Sequence, residues 1–186
     1  MQLVVRGYND GFAFCYKIPE GEGECVNVQS ELTAYNFAGD YTAWFYNGEN
    51  HNIGPEKLTE TDGTRLPVMT VKAGDRHYMA IHEACLETGA PLVLQSKGGE
   101  SLFSVASKPA DLSPGYTSAW RVVLYGTTPG VLTDSHLLEL LNPDPDSRYD
   151  FSWVKPGLAV WDWRINGAVW DGFTYGMSYP SWVRMV

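Results

Sequence analysis

Positive charge is scarce in this chain. Its 186 residues carry 13 Lys and Arg against 22 Asp and Glu, a formal net charge of -9, and no basic run is present. Binding a phosphate backbone needs clustered positive charge, so no nucleic-acid partner is expected. Cysteine is scarce too, and Cys15, Cys25 and Cys85 share no CxxC or metal-type spacing. An odd count leaves at least one thiol free within the chain, and the simplest expectation is small buried hydrophobes. Long apolar runs are missing, because Arg6 and Asp10 interrupt the first one, so no membrane span is expected. No signal-peptide pattern follows Met1; that would mean cytoplasm for a complete protein and says nothing of location for a fragment. Helical patterning is nearly absent before the tail. Only Asp134 to Leu141 carries it, with Asp134 as the expected N-cap and Leu137, Leu138 and Leu141 apolar.

What is abundant points to strands. Aromatic residues make up 13% of the chain, and 19 glycines and 11 prolines supply turns. Leu3 to Tyr8 and Phe12 to Lys17 flank Asn9-Asp10-Gly11, and Asp-Gly is a strong hairpin signal. Pro19 to Glu24 reads as a solvated acidic turn. Glu31 to Phe37 predicts a strand with Thr33, Tyr35 and Phe37 on one face, and Tyr41 to Tyr46 predicts another. Asn47 to Arg65 is polar and reads as a long loop with room for a short turn. Pro67 to Lys72, His77 to His82, Pro91 to Gln95, Leu102 to Ser107 and Thr117 to Tyr125 complete the expected strands. Many short strands between turn signals predict a β-sandwich.

The Pro/Asp-rich stretch Asn142 to Asp150 is the best boundary. Beyond it the composition changes, and five of the seven tryptophans fall between Asp150 and Val186. Leu158 to Trp161 is an apolar run, followed by Asp162 between two indoles and a Gly-rich loop. Tyr179, Trp182, Val183 and Val186 then lie on one helical face, with Ser178 as N-cap and Pro180 in the first turn. Strand, loop and helix form one β/α unit, which cannot bury itself. The expectation is a fragment whose active site lies mostly downstream.

The order of several motifs resembles glycoside hydrolase family 97, the bacterial α-glucosidase and α-galactosidase family. VRGYNDGFAFCY looks like that family's FR-Y-DG-AFRY hairpin, and AIHEACL (Ala80 to Leu86) is similar to its AI-EA-L segment. SAWRVV (Ser118 to Val123) resembles its PWR strand, and DFSWVKPG its D-SW-KPG loop. Two departures stand out: Cys15 replaces a second Arg, and Ala119 replaces the Pro before Trp120. The resemblance implies a mainly β chain. Residues 1–141 would be the later part of an antiparallel, galactose-mutarotase-like supersandwich, residues 142–157 a linker, and residues 158–186 the first β/α unit of a truncated (β/α)8 barrel.

The resemblance also gives candidate residues. Glu83 matches a Glu that, in the α-glucosidase branch, reaches from the sandwich to a catalytic Ca²⁺; read alone, a strand-end Glu is most often solvated. Calcium takes about six to eight oxygen ligands, so the rest would come from later barrel strands. Trp161, Asp162 and Trp163 would fall at the C-terminal end of the first barrel strand, where barrel active sites lie. Indoles stack on the C–H faces of sugars and carboxylates accept hydroxyl protons, so these three are candidate substrate contacts. The alternative is that strand alternation sends both indoles into barrel–helix packing. Trp120 and Trp153 read as structural. Arg121 either pairs with an acid or lies on the surface, and His82 adjoins Glu83 as a supporting group.

The expected function is therefore hydrolysis of α-linked glucosides or galactosides by the complete enzyme, assisted by Ca²⁺. The main catalytic acids are expected beyond Val186, this chain alone is expected to be inactive, and the family resemblance implies a periplasmic or secreted protein. A non-catalytic carbohydrate-binding β-sandwich is the alternative, and a ligand-free structural β-domain a third reading.

Overall fold

The computed structural model describes residues 1–46, 52–87, 90–144 and 148–157, together with the backbone of 169–170 and 173–174. The chain divides into two compact units, Met1–Asp144 and Pro145–Val186.

The first unit is mainly β. Its strands are β1 (Gln2–Tyr8), β2 (Gly11–Lys17), β3 (Val26–Val28), β4 (Ala34–Asn36), β5 (Thr42–Tyr46), β6 (Asn52–Lys57), β7 (Asp62–Ala73), β8 (His77–Ala84), β9 (Leu94–Lys97), β10 (Leu102–Val105), β11 (Ala110–Leu112) and β12 (Trp120–Gly126). Ten of them form one antiparallel sheet in the order β1-β2-β12-β8-β7-β9-β10-β4, with β5 joining β7 to β6; β3 and β11 pair separately. β7 makes the sheet curl. Its first residues, Asp62 to Arg65, pair with β9, while Met69 to Ala73 pair with β8. One 12-residue strand thus belongs to two layers.

The core between those layers holds Ala43, Phe45, Met69, Val71 and Ile81 facing Leu92, Leu94, Phe103 and Val105. The opposite face of β8, β12 and β2 carries Ala80, Ala84, Trp120, Val122, Leu124, Ala13 and Cys15. It packs beneath two short helices, α1 (Pro129–Asp134) and α2 (Leu137–Leu141). Strand alternation thus gives β8 two buried faces. Past Arg121 the inner face continues onto Leu3, Val5 and Phe12, which are 59%, 60% and 44% exposed.

The first hairpin forms as its turn signal predicts, with Tyr8 opposite Gly11 across Asn9-Asp10. Gly11 is required there for a second reason: a Cβ would collide with the Val123 carbonyl oxygen of β12. Thr33 is buried and Tyr35 and Phe37 half-buried, while Leu32, Ala34 and Asn36 are exposed, so the expected alternation holds over a strand shortened to Ala34–Asn36.

Four expectations need correction. The stretch 47–65 is not one loop, because β6 and the start of β7 lie within it, on either side of a short 3-10 turn (Leu58–Glu60). β6 reads NIGPEK and, among the described residues, pairs only with β5. An edge strand tolerates the Gly, Pro and charges that hide it from pattern reading. Asp134 is not an N-cap but the last residue of α1, whose first turn is set by Pro129. Ser135 instead accepts the Leu137 N–H at 3.2 Å to start α2 and donates to Asp10 at 2.6 Å. Leu137 and Leu141 are buried as expected. Of the cysteines only Cys15 is fully buried, and Cys25 is exposed. Trp153, read as structural, is 74% exposed.

In the second unit, Asp150 closes an Asx turn, accepting the Ser152 N–H at 2.9 Å and its hydroxyl at 3.0 Å. These bonds hold the Asp150 carboxyl below its usual range. Val169–Trp170 pairs antiparallel with Phe173–Thr174 inside the stretch read as a Gly-rich loop. The expected barrel strand and the helix from Ser178 lie outside the described residues.

Candidate functional site

The conspicuous polar feature of the first unit is a buried cluster where β8 and β12 run side by side. Register places Arg121 opposite Glu83, and both face the inner layer. The Arg121 guanidinium, 4% exposed, donates Nε to Glu31 Oε1 at 3.0 Å and Nη2 to Glu31 Oε2 at 2.7 Å. This two-pronged geometry suits a planar guanidinium and a carboxylate. Nη1 lies 3.5 Å from Glu83 Oε2, an ion pair without a hydrogen bond, and that oxygen accepts the Leu92 N–H at 2.5 Å. Thr33 donates to Glu31 at 2.8 Å, so the Tyr16 hydroxyl, 2.9 Å away, must donate to Thr33. The Tyr35 hydroxyl is buried without a partner among the described residues.

Burial by itself would lower the Arg121 pKa, but hydrogen bonding and charge from Glu31, then Tyr35 and Glu83, raise it overall. The cation is therefore fixed. Burial pushes the Tyr35 phenol up, against the pull of Arg121, so it stays protonated. Two carboxylates thus share one permanent cation inside the fold, which leaves the cluster short of positive charge.

His82 projects from the other face of β8. Its Nδ1 accepts the Glu83 N–H at 2.8 Å, so the ring proton resides on Nε2. Burial lowers its pKa, with Glu83 opposing, and the ring is neutral at pH 7.

Glu83 is therefore not the solvated strand-end acid that general burial preferences favour. Arg121 takes the paired alternative, with Glu31 as its acid, and Trp120 lies in the core at 7% exposure. Cys15, which stands where the resembled family has an Arg, is 1% exposed in an apolar cluster. Glu31, Thr33, Tyr16 and Tyr35 were not legible as a site. Glu31 and Arg121 are 90 residues apart, and no spacing rule joins them. Trp161, Asp162 and Trp163 lie outside the described residues.

Residues 1–143 match a family model described as Glycosyl-hydrolase 97 N-terminal. The chain belongs to glycoside hydrolase family 97. Two curated relatives are similar to this family 97 chain. One, from Bacteroides thetaiotaomicron, is named a retaining alpha-galactosidase; it is 26% identical over 95% of this chain and 33% of its own length. The other, from Streptomyces bingchenggensis, is named a probable retaining alpha-galactosidase and is 31% identical over 89% of this chain and 26% of its own. The chain thus spans a third or less of these relatives. A solved family 97 enzyme from Pseudoalteromonas sp. strain K8, in complexes with acarbose and with panose, superimposes with a TM-score of 0.68. It is 26% identical and covers 81% of this chain, which covers 24% of it.

The calcium implied by the family can be tested against the donors present. No group of three or more His, Cys, Asp or Glu side chains suited to a metal occurs among the described residues. Glu83 Oε2 is occupied by Arg121 and Leu92, whereas Oε1 has no hydrogen bond to them. The donor set therefore fits one ligand oxygen of a Ca²⁺ site, and it does not fit a whole one.

Proposed function

We propose that this chain is the sandwich module and the start of the catalytic barrel of an enzyme that hydrolyses α-linked galactosides or glucosides. The observation that carries the reading is the family match over residues 1–143, joined to two relatives named as retaining alpha-galactosidases. Residues 1–141 correspond in this reading to the later part of a galactose-mutarotase-like supersandwich. Residues 158–186 correspond to the first unit of a (β/α)8 barrel, exported to the periplasm or secreted.

Glycoside hydrolysis needs two carboxyl groups flanking the scissile bond. None of the acids in the described cluster is free for that work, since Glu31 and Glu83 both serve Arg121. The catalytic pair is assigned to further chain, and these 186 residues alone are inactive. Glu83 would supply one oxygen to a Ca²⁺ that would polarise substrate in the complete site, with Arg121 and the Leu92 amide holding that carboxylate still. Trp161, Asp162 and Trp163 contact the sugar at the end of the first barrel strand.

The test is a protein in which this chain is joined to a complete family 97 barrel. Release of nitrophenol from p-nitrophenyl α-galactoside or α-glucoside is expected, weakened by chelator. Glu83→Gln should raise the Ca²⁺ concentration needed for activity, and Asp162→Ala should raise KM. Unchanged calcium dependence in Glu83→Gln removes the ligand assignment. Turnover by the 186-residue chain itself removes the claim of inactivity.

A further inference from the structure

The helices α1 and α2 cover the outer face of the sheet over β2, β12 and β8 and go no further. Beyond β8 the same face continues onto β7 and β5. There Trp44, Tyr46, Val68 and Thr70 point away from the core that Ala43, Phe45, Met69 and Val71 fill. With Asn52 and His82 they line a cleft of about 400 Å³, within the range of about 300–1,000 Å³ typical of small-molecule sites.

The lining is chemically mixed in a specific way. Trp44 and Tyr46 supply aromatic surface, and Tyr46 and Val68 are 41% and 38% exposed. Gly54 of β6 packs closely on β5: a Cβ there would lie 2.6 Å from the Ala43 carbonyl oxygen and 3.1 Å from Trp44 Cδ1, so the glycine lets the two strands approach behind the indole. The Glu83 amide occupies His82 Nδ1 and leaves Nε2–H as a donor with no partner among the described residues. Thr70 offers a hydroxyl and Asn52 an amide, each both donor and acceptor. Among the described residues that line it there is no carboxylate, Lys or Arg.

Aromatic surface beside uncharged two-way hydrogen-bonding groups matches one common ligand class, a pyranose with an apolar C–H face and a rim of hydroxyls. We propose that this cleft is a second, non-catalytic sugar-binding site. In it a pyranose stacks on Trp44 and Tyr46, and its hydroxyls bond to His82 Nε2–H, Thr70 Oγ1 and Asn52. It lies on the face of β8 opposite Glu83, so it is separate from any site that Glu83 serves. The choice of sugar rests on the glycosidase reading; the cleft itself does not.

The test titrates the 186-residue chain with D-galactose, D-glucose and panose and follows backbone amide shifts by NMR. Shifts confined to Trp44, Tyr46, Thr70 and His82 are expected. Trp44→Ala should weaken binding by about tenfold or more, as for an aromatic anchor. Thr70→Val, which keeps shape, should weaken it by about two- to tenfold for one lost hydrogen bond. Tyr125→Ala, on the opposite face, should bind as the parent chain does, and unchanged circular dichroism establishes that each variant is folded. No shift with any of the three sugars overturns the proposal, as does binding that survives Trp44→Ala and Thr70→Val together. Either result leaves the hydrolase reading standing, because turnover by the completed enzyme is measured separately; loss of turnover alone leaves the cleft standing.

Discussion

Replacing Arg121 by Met tests the central claim about the buried cluster. The substitution roughly preserves length and removes the cation. It deletes two charge-assisted bonds to Glu31, at 3.0 and 2.7 Å, and the countercharge 3.5 Å from Glu83. The stranded side chains are only 16% and 7% exposed, so water replaces the guanidinium only in part. Removing one member of a buried ion pair costs about 3–5 kcal/mol, mostly the penalty of the uncompensated charge left behind. Domain stability totals about 5–15 kcal/mol, so this is a large share of it. At about 3 °C per kcal/mol for a domain of this size, Tm should fall by about 9–15 °C. Urea unfolding should show a lower midpoint with an unchanged slope. The triple variant Arg121→Met, Glu31→Gln, Glu83→Gln removes the stranded charges and should be clearly more stable than the single variant. A single variant within about 1 kcal/mol of the parent would refute the reasoning. So would a triple variant no more stable than the single one.

Three further outcomes follow from the same structure. Gly11→Ala should cost about 2–4 kcal/mol in urea unfolding, because the new Cβ meets the Val123 carbonyl; a neutral effect would mean that β2 and β12 can move apart. His82 titrates lower in the fold than unfolded because of burial. Protons therefore bind the unfolded chain more readily as pH drops below about 6.5, and stability falls until folded His82 also protonates. His82→Gln should flatten that part of the stability–pH curve, and an unchanged curve would contradict the burial argument. Maleimide should label exposed Cys25 in the native chain, while Cys15, 1% exposed and with a thiol pushed up by burial, should react only on unfolding.

Local signals were legible where the chemistry is local. Asp10-Gly11 announces its hairpin because few sequences accept that turn, and Trp120 and Val122 declare their shared face by alternation. β6 escaped notice because an edge strand is held by one neighbour and needs no hydrophobic pattern; Gly54 and Pro55 then read as loop. The expected helix corresponds to α2, whose N-cap is His136 rather than Asp134, and α1 before it is hidden because Pro129 starts it through a fixed φ rather than a capping side chain. The cluster around Arg121 is the clearest case of what sequence conceals. Its members lie on β2, β8, β12, β4 and the approach to β4, and only the folded sheet brings them together.

That register also bears on what Glu83 can do. A carboxylate free in solvent would bind calcium only by losing side-chain freedom, and long flexible side chains lose the most on being fixed. Glu83 has already met that cost on folding, because Arg121 and the Leu92 amide fix one of its oxygens and leave the other without a bond among the described residues. The cation 3.5 Å away disfavours a second one, yet Glu31 offsets it through two short hydrogen bonds. In the proposed calcium site, Glu31 would therefore be the residue that makes Glu83 usable. In a protein completed with a family 97 barrel, Glu31→Gln should leave more of the Arg121 charge facing Glu83 and weaken calcium affinity without touching the metal. Glu31→Asp, which keeps the charge, should recover part of the loss. Equal calcium affinity in all three proteins would show that Arg121 and the metal do not compete for Glu83.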